Sequence, residues 1–325
     1  MKNLITGGAG FIGYHIAEYL SEKGEEVHLI DNLLRNNYDD DFQHLIAKEN
    51  VTFIQADLTN PATIDQLDQD YDIVYHLAAV IGVKAVIERP HDVIDVNTKT
   101  VMNIVDWICS LEKKPKLLFT STSEIYSGGL EVMGSDFPIP TGEEVPIIFP
   151  DLNNARSTYA FSKAWGEMYI HFKSLNNSFT YTNVRYHNVY GPRMGMMHVV
   201  PELMVRAYRA ENTLGVYSVD HTRAFCYVDD AVQYTVSCAM DAAADQKTVH
   251  IGNGQEEVTI QTLAQTVLDV VGQSEIIIKP LPTESGGPTR RCPDTALLKQ
   301  ITGLDLNTSL REGIEKTWAW YRKCL

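Results

Sequence analysis

The chain has 325 residues, 44% of them hydrophobic and 21% charged, enough for one large α/β domain or two smaller ones, and neither a disordered nor a collagen-like composition fits it. A formal net charge of -15 argues against broad contact with phosphate backbones, so no nucleic-acid partner is expected. Cysteines at 109, 226, 238, 292 and 324 form no CxxC pair and no zinc-type spacing, which reads as free thiols in a reducing compartment.

In chain order, "KNLIT" reads as a buried strand, 11–23 as a helix, "EEVHLID" as a second strand, "VTFIQAD" as a third and "DIVYHLAA" as a fourth. A helix over 93–111 leads to "PKLLFTST" as a fifth strand, and the helical stretch "STYAFSKAWGEMYIHFKS" leads to "FTYTNVRY" as a sixth. Alternation of this kind predicts a Rossmann-like, doubly wound parallel sheet with helices on both faces. Beyond about residue 186 the alternation weakens, and helical patterns recur near 198–210, 229–243, 259–272 and 307–323. We therefore expect residues 1–186 to form a dinucleotide-binding domain carrying the chemistry, and 187–325 to form mainly a smaller α/β substrate-binding lobe, with part of 225–255 returning to the first domain. The stripe "WAWY" near the carboxyl terminus reads as core packing. No apolar run approaches the roughly 18 residues that would span a bilayer, and the opening residues lack the long apolar segment of a signal peptide, so a soluble, cytoplasmic protein without a membrane partner is expected.

"TGGAGFIG" places Gly7, Gly10 and Gly13 at the first strand–helix junction, where a tight turn and free helix amino-terminal N–H groups suit a pyrophosphate. Asp31, about twenty residues further on at the end of the second strand, completes a dinucleotide fingerprint; its carboxylate suits ribose hydroxyls and repels the extra phosphate of NADP, so NAD is the expected cofactor. Asp57 ends the third strand either as an adenine contact or as a helix cap ahead of "NPATIDQL". Tyr159 and Lys163 stand four apart on a helix and share a face, an arrangement in which an ammonium favours phenolate; alone, such a pair is equally well an accident of the surface.

Together the motifs resemble the extended short-chain dehydrogenase/reductase family, in particular its nucleotide-sugar epimerases, dehydratases and decarboxylases. The resemblance runs along nearly the whole chain through "TGGAGFIG", "DN" at 31–32, "ADL", "HLAA", "VN" at 96–97, "STSEIY", "YAFSK", "RYHNVYGPRMG", "TRAFCYVDD" and "RRCPD". It implies NAD contacts from Gly7, Gly10, Phe11, Ile12 and Gly13, from Asp31 and Asn32, from Asp57 and Leu58, from Leu77, Ala78 and Ala79, from Asn97, and from Tyr159 and Lys163. It also implies a shared first step: Tyr159 as phenolate takes the proton of a sugar hydroxyl, usually on carbon 4, Thr122 hydrogen-bonds the reacting oxygen, and Lys163 holds the cofactor ribose and tunes the tyrosine.

A ketone at carbon 4 acidifies carbon 5 and makes a carboxylate there a good leaving group, so Glu124, two residues after Thr122, is a candidate for second-step acid/base chemistry; the alternative is a solvated turn residue. "TSE" resembles the dehydratases and decarboxylases more than simple 4-epimerases, "RSTYAFSK" resembles one group of dehydratases, and "GPRM" and "TRAFCYV" resemble decarboxylases. Thr100 and Ser127 stand where the family usually has Gly. Ser123, Asn188, Arg193, Arg223 and Arg291 are the expected contacts of a nucleotide-diphosphate sugar, since the arginine fork suits phosphate oxygens, although each arginine is also readable as a surface ion pair. His76 reads as a hydrogen-bonded strand-end residue; His187 lies near the expected nicotinamide, and His198 is a further imidazole in the second half. The leading expectation is an NAD-dependent enzyme that oxidises carbon 4 and then dehydrates or decarboxylates; a 4-epimerase and a non-catalytic NAD-binding sensor or scaffold are the alternatives. Family members often pair through helices like those near 93–111 and 157–174, so a homodimer is expected.

Overall fold

Seven short apolar runs form the central sheet: β1 (Lys2–Thr6), β2 (Glu26–Asp31), β3 (Val51–Gln55), β4 (Ile73–His76), β5 (Lys116–Thr122), β6 (Tyr181–Tyr186) and β7 (Lys247–Ile251). The computed structural model describes residues 1–35, 37–282, 289–306 and 308–325. Strand order is β7-β6-β5-β4-β1-β2-β3, and the pairings β1–β2, β2–β3, β1–β4 and β4–β5 are all parallel. The chain moves from one side of β1 to the other between β3 and β4, the switch point at whose carboxyl edge such sheets bind ligands. Register aligns that edge: Thr6 lies opposite both Ile30 and His76, and His76 opposite Phe119. The motifs that follow β1 and β4 therefore leave the sheet at one level, and β5 runs three residues further, to Thr122.

The helices on this sheet follow from their apolar spacing. Helix α1 (Phe11–Glu22) starts at Gly10 and buries Gly13, Tyr14, Ile16, Ala17 and Leu20, an i, i+3, i+4, i+7 stripe. Helix α2 (Pro90–Ser110) opens with proline at its first position, where the missing N–H has no intrahelical partner to lose, and buries Val93, Val101, Ile104 and Ile108. Helix α3 (Ser157–Asn177) packs beside α2 and ends at Ser178 in the left-handed region, φ 54°. It lies close on β5 because Gly166 has no side chain: a Cβ there would stand 2.7 Å from the Phe119 ring. Phe119, fully buried with Leu4, Val74, Leu117, Ile104, Ile108 and Ile170, contributes about 2–3 kcal/mol by burial, and a large residue at Gly166 would separate that helix from the sheet.

The chain divides into two compact units, one of Met1–Ile125, Phe149–Arg185 and Thr235–Val249, the other of Tyr126–Ile148, Tyr186–Tyr234 and His250–Leu325. The second unit is built around a three-stranded sheet of Thr222–Ala224, Glu257–Thr259 and Arg290–Arg291, with a parallel pair Thr213–Tyr217 and Ile277–Leu281 and the helices Val199–Tyr208, Ile260–Val271 and Leu310–Tyr321. In the last helix, expected over 307–323, Trp318 and Tyr321 are buried as the aromatic stripe suggests; Asn307 lies outside the described residues. Among the described residues no helix is long and apolar enough to cross a membrane.

Candidate active site

The glycine turn is shaped for close approach. Gly7 has φ 71°, and a Cβ on it would come within 2.9 Å of the Ala78 amide nitrogen, while a Cβ on Gly13 would collide with the Gly7 carbonyl. Gly10 caps α1 with no side-chain bond, so the first N–H groups of the helix, at Phe11, Ile12 and Gly13, are free of a capping side chain. Asp31 stands at the end of β2, where Ala9 N–H donates to its Oδ2 at 3.2 Å and Leu33 N–H to its Oδ1 at 2.8 Å. Burial pushes its carboxyl up, and the two amides pull it back. Asn32 and Asp57 come together at the next strand end, Nδ2 to Oδ2 at 3.5 Å. A narrow phosphate-sized turn, an uncapped helix terminus and a carboxylate at the end of β2 fit a dinucleotide whose adenosine ribose lies against Asp31.

Two expectations change here. Asp57 is not the cap of the short helix Pro61–Ile64; Asn60 is, and Asp57 instead accepts the amide and hydroxyl of Thr59, both at 2.8 Å. Burial works against its charge, but those bonds and Asn32 hold the carboxyl below the usual range. Asn97, expected to touch the cofactor itself, is buried with its amide engaged by protein: Val80 N–H donates to Oδ1 at 2.7 Å, and Nδ2 donates to the Val80 carbonyl at 3.2 Å and to Ser162 Oγ at 3.1 Å. It fixes the chain after Leu77, Ala78 and Ala79, at the edge where the cofactor is expected. Leu58 is buried in the core beneath that edge.

The start of this same edge is tied to His76. Thr6 Oγ1 accepts the amides of Leu77 and Ala78, each at 3.1 Å, so its proton goes to His76 Nδ1 at 2.8 Å. The imidazole then carries its proton on Nε2, stacked on Phe119 at 6.0 Å. Burial, and secondarily the Lys163 charge, pull His76 down to about 3, so it is neutral.

The hydroxyl-rich end of β5 turns directly into a 3-10 turn, Ser123–Tyr126. Thr122 makes that turn, its Oγ1 accepting the Glu124 N–H at 3.2 Å, which places the Glu124 carboxylate on the same short arc as the hydroxyl. Thr122 and Ser123 are buried and Glu124 half-buried. Tyr159, on the first turn of α3, shares a hydrogen bond with Thr122 and feels the charge of Glu124. Lys163, one turn later and 4% exposed, donates from Nζ to the Thr120 carbonyl at 2.7 Å. Thr122, Glu124, Tyr159 and Lys163 are thus gathered at the carboxyl end of β5. The electrostatics differ from the expectation of a tyrosine acidified by its lysine: burial, then Glu124, pushes the phenol up, and the Thr122 bond is what opposes them. Burial pulls Lys163 down to about 7, with Glu167 acting the other way.

In the second unit Arg223 and Arg291 are register partners on parallel strands. Two cations opposite one another repel, an arrangement that suits a shared anion. Arg223 Nη1 bonds the Thr222 carbonyl at 2.7 Å and Arg291 Nη2 the Ser127 hydroxyl at 3.3 Å. Arg290, by contrast, is committed to Glu257 through a fork, Nε to Oε1 and Nη2 to Oε2 at 2.8 Å each. Asn188, at φ 42°, donates to the Ala224 carbonyl at 3.1 Å and so ties its turn to the strand bearing Arg223; Arg193 lies in the following turn at φ 62°. His198 precedes the helix Val199–Tyr208 without capping it. His187 packs on His250, ring centroids 4.5 Å apart, and Tyr126 bonds His250 Nε2 at 2.8 Å. That aromatic cluster had no sequence signal, because its members are spread from 126 to 250. Among the described residues no group of three or more His, Cys, Asp or Glu is placed to hold a metal ion.

Fold and family together define an NAD-dependent enzyme built on a Rossmann-like sheet. The chain belongs to the NAD dependent epimerase/dehydratase family, whose sequence pattern matches residues 3–252. It is 31% identical to the UDP-N-acetyl-alpha-D-glucosaminuronate decarboxylase of Bacillus cytotoxicus, over 98% of this chain and 97% of that protein. It is 32% identical to UDP-glucuronic acid decarboxylase 1 of Danio rerio, over 98% of this chain and 72% of that protein. Among solved structures it is similar to the UDP-glucose 4-epimerase of Thermotoga maritima with UDP-glucose, at 26% identity and a TM-score of 0.82, covering 100% of this chain and 99% of that one.

Proposed function

We propose that the protein is a UDP-sugar acid decarboxylase acting through a 4-keto intermediate. The observation that carries this reading is Glu124, half-buried on the Thr122 turn and within electrostatic reach of Tyr159. An epimerase needs no such carboxylate. The full-length likeness to two sugar-acid decarboxylases supports it.

Bound NAD would take the hydride from carbon 4 and later return it. Tyr159, once it has released its own proton to solvent and stands as phenolate, accepts the proton of the carbon 4 hydroxyl, Thr122 orients that oxygen by its hydroxyl, and Lys163 places positive charge beside both. With a ketone at carbon 4, the bond from carbon 5 to its carboxylate breaks, carbon dioxide leaves, and the electron pair enters the enolate. Glu124, having taken up a proton from solvent, then delivers it to carbon 5, and Tyr159 returns its proton to the carbon 4 oxygen. Arg223 and Arg291, with Asn188 and Arg193, are the residues of the second unit that take the diphosphate, and Ser123, of the first unit, is the sugar contact.

A 4-epimerase is the second reading, supported by the likeness to the Thermotoga enzyme and by the sufficiency of Thr122, Tyr159 and Lys163 for it. Incubation with UDP-glucuronate and UDP-N-acetylglucosaminuronate separates the two: carbon dioxide and a UDP-pentose support decarboxylation, and a six-carbon acid epimer overturns it.

We also propose a cytoplasmic homodimer. Its five free cysteines suit a reducing compartment, and α3 exposes an apolar stripe of Phe161, Met168, Phe172 and Leu175 at seven-, four- and three-residue steps, a pattern that a second copy would cover.

A further inference from the structure

Lys163 is buried against uncharged partners. Its ammonium bonds one carbonyl, that of Thr120, and sits 4.9 Å from the centre of the Phe119 ring. Both attract a cation, but neither carries the full negative charge that would offset the loss of water. On the same face of α3, one turn further, stands Glu167, also buried. Both oxygens of its carboxylate are taken by one guanidinium on β6: Arg185 Nε donates to Oε1 at 2.9 Å and Nη2 to Oε2 at 2.6 Å. The fork fixes the carboxylate's orientation and keeps it ionised where a lone buried carboxyl would take up a proton.

We propose that Glu167, held by Arg185, is a positioning residue for Lys163, a fixed carboxylate one helical turn away that keeps the buried lysine cationic at the reacting centre. The groups around the ammonium are consistent with this. Tyr159 on its own helix holds its proton in the protein without substrate, His76 on β4 is held neutral by the Thr6 hydroxyl, and β5 offers a carbonyl and a ring. Glu167 is the charge that opposes the downward pull of burial on Lys163. The second cation, Arg185, is bound to Glu167 at 2.6 Å, and Glu167 is the charged group that acts on Lys163. The pair therefore does more than join a helix to a strand: it sets the protonation of a residue four positions away.

The inference rests on the assignment of Lys163 to the reacting centre, and the test separates the two. Lysine labelled with carbon-13 at Cε, followed by NMR across pH in the protein without substrate, reads the Lys163 midpoint directly once Lys163→Ala has identified its signal. In Glu167→Gln that midpoint should fall by about one pH unit or more, and the basic limb of kcat/KM should move to lower pH with it. Because Glu167→Gln leaves Arg185 buried without that carboxylate, the paired change Glu167→Met with Arg185→Met provides a second folded background, in which a smaller fall in the same direction is expected. A lowered melting temperature with an unmoved Lys163 midpoint would overturn the inference, leaving the pair a structural tie. Full turnover in Lys163→Ala would overturn the underlying assignment, and the positioning role with it.

Discussion

Arg223 and Arg291 stand opposite one another on parallel neighbouring strands, two cations in register. Arg290, next in sequence, is instead closed in a fork with Glu257. The difference gives a prediction. Arg291→Ala should weaken binding of the nucleotide sugar by about 10- to 100-fold, as expected for a lost charge-assisted phosphate bond, while Arg290→Ala should act mainly on stability. Calorimetric titration with UDP measures both; equal effects would contradict the assignment.

Tyr159 is the proton acceptor in this account, and Tyr159→Phe should lower turnover by about 10²- to 10⁴-fold with NAD affinity little changed. Single-turnover kinetics and cofactor binding report the two quantities separately. Unchanged turnover would remove Tyr159 from the reacting centre.

Glu124 is assigned to the second step alone. Glu124→Gln should let oxidation at carbon 4 and loss of carbon dioxide proceed and slow reprotonation of carbon 5 by about 10²-fold, so that a decarboxylated 4-keto sugar accumulates. Trapping with borodeuteride and mass spectrometry would detect it; product forming at the normal rate would exclude Glu124.

His76 predicts an acid-side weakness of the fold. Its folded pKa of about 3 lies below the ordinary 6.5, so between these values the unfolded chain binds the extra proton and stability falls as pH drops. By pH 5 the loss reaches on the order of 2 kcal/mol. Urea unfolding at pH 7 and pH 5 measures it, and His76→Phe should flatten the dependence. An equal slope in the variant would mean that other groups carry the acid sensitivity.

The apolar stripe on α3 predicts a dimer that charge can break. Phe172 and Leu175 are 58% and 65% exposed, and each would recover about 1.5–3 kcal/mol of burial in a self-complementary interface. Phe172→Glu with Leu175→Glu should sediment as a monomer where the parent sediments as a dimer. A parent that is monomeric throughout would contradict the proposal.

Much of this architecture is legible in the sequence because β1 to β6 are apolar runs separated by amphipathic helices, and the glycine turn sits where the first strand meets its helix. The seventh strand, Lys247–Ile251, is less so, since it follows a long stretch without regular alternation. The strands of two or three residues that carry Arg223 and Arg291 are too short to show a period. Site chemistry was harder to read where burial decides it. Asn97 has the chemistry of a cofactor contact, but its location under Val80 turns the amide inward. The spacing of Tyr159 and Lys163 suggests an acidified tyrosine, whereas desolvation and Glu124 set the opposite direction in the folded chain. Glu167 and Arg185 are 18 residues apart, on a helix and on the strand after it, so only the packing of α3 against the sheet joins them.

The central claim is decarboxylation at carbon 5 through a ketone at carbon 4, and proton NMR of the reaction with UDP-N-acetylglucosaminuronate and UDP-glucuronate in deuterated water tests it most directly. The account predicts a UDP-pentose bearing one deuterium at carbon 5, with carbon dioxide released in equal amount. A six-carbon product inverted at carbon 4, with no deuterium at carbon 5, would contradict it.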